Sequence, residues 1–160
     1  MSLLIKAKDV NWHRPEVTVV DGSAGPRIDV AFTYGEKSNL MIGRRGAGYH
    51  SVPHKHESEQ LNYCMEGSLW MYVDGIAYLL EPGDFLRIPA WSMHWAWNRS
   101  GQSNLLMEVH TPVVNLSHVP FAVGLFGATE DPRIDQARKN EYVYPEMQEF
   151  TERRNHGDPS

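Results

Sequence analysis

The stretch Gly48-Tyr49-His50-Ser51-Val52-Pro53-His54-Lys55-His56-Glu57-Ser58-Glu59-Gln60, closing at Gly67, sets two histidines two apart and a third metal-capable side chain four further on. In an extended strand, side chains of equal parity point to one face. His54, His56 and Gln60 share a parity, so one strand can offer all three to one ion.

The segments around this stretch look like strands. Ile28, Val30, Phe32 and Tyr34 recur at period two over 28–34, and a shorter run covers 40–44. Runs at 60–65, 68–73, 76–80, 85–88, 93–98 and 105–111 follow, with turns at Asp74-Gly75, at 81–84 and at 99–103. Strands this short and regular predict an all-β sandwich or barrel. Residues 1–30 form an N-terminal arm or edge strands, 31–125 the barrel, and 126–160 a polar extension with a helix starting near Pro132.

Composition sets bounds. The 160 residues suffice for one core, and the formal charge of −5 with no block of like charge argues against nucleic acid as partner. No apolar run approaches membrane-spanning length, the N-terminus lacks the core of a signal peptide, and the single cysteine, Cys64, excludes an internal disulfide. A reducing cytoplasm is the expected compartment.

A second motif lies downstream. Gly83 is followed by Pro89, His94 and Asn98, and fifteen residues separate Gly67 from Gly83. The first segment resembles the cupin pattern of Gly, five residues, His-x-His, three or four residues, Glu, six residues, Gly. The second resembles its partner: Gly, five residues, Pro-x-Gly, two residues, His, three residues, Asn. The resemblance covers about residues 40–111 and implies a small single-domain jelly-roll barrel. Carried over position by position, it implies His54, His56, Gln60 and His94 as ligands of one divalent transition metal, with Fe, Mn, Ni and Zn all admissible.

Two positions depart from the pattern. Gln60 stands where the usual Glu would be, and Trp91 where the usual Gly would be. Three neutral imidazoles and a neutral amide leave a divalent ion its full charge, which favours a small anionic substrate. A one-residue bulge would instead make Glu59 the ligand; parity favours Gln60. Trp91 is expected to reshape only a turn near the barrel mouth.

Other residues have plainer readings. Trp95 and Trp97 oppose His94 in parity and are expected in packing or a dimer interface. Asn62 and Cys64 share the parity of Gln60 and can line the cavity. Gly43-Arg44-Arg45-Gly46-Ala47-Gly48 lacks the Lys-Ser/Thr ending of a phosphate loop; an arginine entering the barrel to hold a carboxylate is its lesser alternative. On the run 105–111, Glu108 and His110 share a face with Leu106, and the opposite face, Leu105, Met107 and Val109, is expected to pack in a core. If the polar pair faces the cavity, it supplies a catalytic acid and base.

The resemblance therefore implies a metal-dependent enzyme of isomerase, lyase or cyclase type, with the ion as Lewis acid. The His-His-Gln-His set is similar to that of small cupins that linearise unsaturated uronates, and of polyketide cyclases of this fold. The alternatives are an Fe(II)-dependent dioxygenase and a non-catalytic small-ligand-binding cupin. A homodimer is expected.

Overall fold

The computed structural model describes residues 4–14, 28–49, 51, 54–114 and 122–123. The expected C-terminal helix, most of the N-terminal arm and His50 lie outside the described residues.

Ten strands are present among the described residues, preceded by a short 3-10 turn, Ala7–Asp9. They are β1 (Ile28–Tyr34), β2 (Asn39–Arg45), β3 (Lys55–His56), β4 (Glu59–Glu66) and β5 (Leu69–Val73). Then follow β6 (Ile76–Leu80), β7 (Phe85–Ile88), β8 (His94–Trp97), β9 (Asn104–Thr111) and β10 (Ala122–Val123). All pairings are antiparallel, as hairpin-linked short strands require. A five-stranded sheet runs β1-β2-β9-β4-β7, a three-stranded sheet β6-β5-β8, and β10 pairs with β3. This is an all-β jelly roll.

The core lies between the two larger sheets. Val30, Met41, Cys64 and Leu106 from one meet Leu69, Met71 and Ala96 from the other in one buried cluster. The reverse face of the smaller sheet carries a second cluster around Tyr72 and Trp95, whose rings stack at 5.0 Å with 3° between planes. Trp95 and Trp97 thus stand on the opposite face to His94, as their parity requires.

Two expectations are corrected. The segment 54–60 is not one strand: β3 ends at His56, a bend occupies 57–58, and β4 starts at Glu59 in the five-stranded sheet. The apolar face of β9 is not its core face either. Glu108 and His110 are 4% and 5% exposed, whereas Met107 and Val109 are only partly buried. The polar face can turn inward because its groups bond one another there, which removes the cost of burying them singly.

Turn chemistry fixes the hairpins. Asp74 and Gly75, at φ 48° and 86°, make the two-residue connection between β5 and β6. Gly67 has φ 67°, and a Cβ there would lie 2.4 Å from the Ser103 carbonyl oxygen and 3.1 Å from Asn104 Cα. Gly67→Ala is therefore expected to destabilise by well over the ~1 kcal/mol of backbone strain alone, because the obstacle is backbone. Gly75→Ala, with φ 86° and nothing within 4 Å, should show only the strain. Thermal melts of the two variants check the ranking.

Candidate metal centre

The chain crosses between sheets at the 57–58 bend, and that crossing assembles the site. His54 forms a β-bridge with His94, so β8 lies beside the first histidine pair. One ring nitrogen from each of His54, His56 and His94 lies within 4.8 Å of the others. The His54 and His94 ring centroids are 4.3 Å apart, and those of His56 and His94 4.9 Å. His56 and His94 are buried; His54 is partly exposed, which leaves one side of the cluster open.

Second contacts orient the rings. His56 Nδ1 lies 2.9 Å from the Ser58 carbonyl, and His94 Nδ1 2.9 Å from the Ser92 carbonyl. A carbonyl only accepts, so each Nδ1 carries the proton and each Nε2 keeps its lone pair. This is the arrangement that prepares histidine for a metal. His94 Nε2 is fully buried with no hydrogen-bond partner among the described residues. A buried acceptor left so is costly unless something binds it, and a cation is what this donor set suits. Burial, with the neighbouring His54 and His56, holds the His94 pKa well below its ordinary value; burial also lowers that of His56. Both stay neutral at pH 7, the state a ligand needs.

Gln60, on β4, is buried beside the His56 ring. Glu59 points the other way: its carboxylate accepts from Arg87 Nε at 2.8 Å on the outer surface. The irregularity in β4 falls between Cys64 and Glu66, away from this point.

Behind Gln60 runs a chain of buried polar groups whose orientation is determined from both ends. Asn39 Oδ1 accepts from Val114 N at 2.8 Å, so its Nδ2 donates to His110 Nδ1 at 3.3 Å. His110 Nε2 then carries the proton and donates to Gln60 Oε1 at 3.2 Å. At the other end Asn62 Nδ2 donates to the Leu86 carbonyl at 3.3 Å, so Asn62 Oδ1 accepts from Gln60 Nε2 at 2.8 Å. Gln60 Nε2 also donates to Glu108 Oε2 at 3.0 Å, and Glu108 Oε1 accepts from Arg45 Nη2. Register explains these meetings: His110 stands opposite both Gln60 and Asn39, and Glu108 opposite Asn62. Burial lowers the His110 pKa to about 4.

Arg45 is the arginine that enters the barrel; Arg44 stays outside with Glu66 at 3.4 Å. The Arg45 guanidinium runs back over Gly43, donating to its carbonyl at 3.3 Å, and a Cβ at Gly43 would lie 2.9 Å from Arg45 Nη1. The Tyr49 ring stands 5.6 Å away. Burial works to lower the Arg45 pKa, but Glu108 and Tyr49 outweigh it and the net shift is upward.

Asn98 and Trp91 have structural work. Asn98 Nδ2 donates to the carbonyls of Arg45, Gly46 and Gln102 at 3.1, 3.0 and 2.8 Å, tying the end of β2 to the turn after β8. Trp91 lies in the turn before β8, where its φ of 65° is the left-handed conformation that glycine adopts without strain, and its N–H donates to the His56 carbonyl at 2.8 Å. Of this network sequence reasoning offered Gln60, Asn62, Glu108, His110 and an arginine entering the barrel, but passed over Asn39 and the pairing of these groups with one another. A strand ended at Arg44 omits Arg45, and one begun at Leu40 omits Asn39; the inward parity of Asn39, Met41, Gly43 and Arg45 was the available signal.

Residues 44–110, which hold both histidine motifs, match the family described as Cupin domain. Over these residues the chain is similar to the cupin family. Among curated relatives, a 5-nitrosalicylic acid 1,2-dioxygenase of Bradyrhizobium sp is 37% identical over 62 residues, 39% of this chain and 30% of that protein. Quercetin 2,3-dioxygenase of Bacillus subtilis (strain 168) is 44% identical over 57 residues, 34% of this chain and 17% of that protein. The chain thus spans less than a third of either relative's length. Among solved structures, the polyketide cyclase RemF from Streptomyces resistomycificus aligns with a TM-score of 0.64 at 19% identity, over 89% of this chain and 96% of that one. KdgF from Halomonas sp. aligns at 0.62 and 18% identity, over 74% of this chain and all (100%) of that one. At these identities the two structures share the fold.

Proposed function

We propose that this cupin is a metal-dependent enzyme acting on a small anionic organic molecule, with His54, His56, His94 and Gln60 holding one divalent ion. The observation that carries the reading is the neutrality of the donor set. Among the described residues the clustered donors are three imidazoles, and the Glu108 carboxylate that buried Gln60 contacts is offset by Arg45. A divalent ion bound there supplies Lewis acidity to a substrate oxygen at nearly full charge. The half-open edge at His54 is the side from which the substrate enters. In this reading the protein is cytoplasmic, with buried Cys64 a free thiol; no helix among the described residues is long and apolar enough to cross a membrane.

Glu108 and His110 were the sequence candidates for proton transfer. Glu108 is held by Arg45 and Gln60, and His110 by Asn39 and Gln60; in the proposal His110, a neutral imidazole beside the ligand set, is the one that takes or gives a proton. His110→Gln is expected to lower turnover by about 10²–10⁴-fold while metal content stays at the wild-type level.

Oxygenation is the second reading, favoured by the two curated relatives, both dioxygenases. A panel of hydroxy-acids, diketones, unsaturated uronates and hydroxylated aromatics, incubated with Fe, Mn, Ni or Zn protein in air and without it, separates the two. Products of unchanged mass, or lighter by water, formed without O2 support Lewis-acid chemistry. Products heavier by two oxygen atoms, formed only in air, support the dioxygenase.

The assembly in this proposal is a homodimer, joined through the outer face of the five-stranded sheet. Leu61, Met65 and Phe85 there are 47%, 41% and 79% exposed, and the Tyr63 and Phe85 rings meet 4.7 Å apart, tilted by 40°. So much bare apolar side chain on one sheet face is usually covered. Light scattering at tens of micromolar should give a dimer mass, and Phe85→Glu a monomer; a wild-type monomer rejects this assembly.

A further inference from the structure

The identity of residue 60 is tied to residue 108. Gln60 Nε2 lies between two acceptors, Glu108 Oε2 at 3.0 Å and Asn62 Oδ1 at 2.8 Å. Glu108 is held in place, because its other oxygen takes the Arg45 guanidinium, which is itself lodged against Gly43 and Tyr49. Asn62 is held less firmly, by one 3.3 Å bond from its amide to the Leu86 carbonyl. A carboxylate at position 60 would bring an acceptor against two acceptors, one of them charged. An amide at 60 can sit there in only one way, with nitrogen toward Glu108 and oxygen toward His110 and the histidine cluster.

We infer that Glu108 is a positioning residue that selects an amide over a carboxylate at position 60 and turns the amide oxygen toward the metal site. The negative charge that the cupin pattern places on a ligand is thereby moved one side chain further from the ion, where Arg45 balances it. This inference rests on the proposed ligand set, and it explains the departure at Gln60 from the fold of this chain. It follows that the two positions can be exchanged. In Gln60→Glu/Glu108→Gln, the amide at 108 donates to the carboxylate at 60 and its oxygen accepts from Arg45. Asn62 can then turn its amide toward residue 60, giving up its long 3.3 Å bond to Leu86. Net charge is unchanged, and the charge now stands on the ligand.

The test is a double-mutant cycle with two readouts, melting of the metal-free protein and affinity for Zn(II) by chelator competition. Gln60→Glu alone should melt well below wild type or fail to fold. The double variant should recover most of that loss and bind Zn(II) at least as tightly as wild type. Glu108→Gln alone should weaken Zn(II) binding about 10–100-fold, since Gln60 then loses the charged acceptor that turns its nitrogen away from the metal site; a purely structural Glu108 would shift melting and leave affinity alone. Additive melting shifts, a double variant that does not fold, or unchanged affinity in Glu108→Gln each overturn the inference. If wild type binds no Zn(II) at all, the metal reading fails instead, while the melting cycle still reports the coupling of 60 to 108.

Discussion

Replacing His94 by alanine is expected to strip the protein of its metal. Wild type purified without a histidine tag should hold about one divalent ion per chain by elemental analysis, and His94→Ala almost none. The reason lies in the ring's environment. Its Nδ1 is committed to the Ser92 carbonyl, and its Nε2 is buried among two other imidazoles with no partner among the described residues. That nitrogen contributes nothing to the fold in the absence of an ion, so its removal should cost binding far more than folding. Melting with a chelator distinguishes the two. A ligand present at about a hundred times its dissociation constant stabilises by about 2.7 kcal/mol, so chelation should lower the wild-type melting temperature by several degrees. It should leave His94→Ala unmoved. Full occupancy in a His54→Ala/His94→Ala double variant would end the assignment of these residues as ligands.

Much of this site was legible because strand parity is a local property. The bounds of β1, β6 and β7 follow from alternation and turn residues, and His94 separates from Trp95 and Trp97 by parity alone. What local patterns could not show is where the chain changes sheets. Parity marks His54, His56 and Gln60 alike, but the bend at 57–58 puts the histidines beside β8 and Gln60 on the opposite sheet. The proposed ligand set therefore comes from across the barrel, from three strands, rather than along one. Hydropathy misled for β9, because it scores Glu108 and His110 as groups that seek water. Their partners Arg45, Gln60 and Asn39 come from β2 and β4, and only the sheet order β2-β9-β4 brings them together. A buried ion pair is a property of two strands, and no single strand announces it.

That ion pair carries the second large expectation. Arg45→Met should destabilise the metal-free protein by about 3–5 kcal/mol, the usual cost of stranding one member of a buried pair. Both side chains are only 6% exposed, so water cannot replace the lost guanidinium. The Glu108 carboxylate would keep one donor, Gln60 Nε2, for a full charge inside the barrel. Methionine fills the volume of the arginine stem, so the loss measures charge more than cavity. Arg45→Lys should fall between, since an ammonium keeps the charge but cannot span Glu108 and the Gly43 carbonyl as the planar fork does. Removing both charges, in Arg45→Met/Glu108→Leu, should recover most of the deficit, because an apolar replacement of the whole pair leaves no stranded ion. Urea unfolding of chelated protein reads all four chains on one scale, and unchanged slopes would show that the denatured state is not the cause. If Arg45→Met unfolded at the wild-type midpoint, the pair would contribute nothing to holding the barrel, and the orientation of Gln60 would have to be maintained by Asn62 and His110 alone.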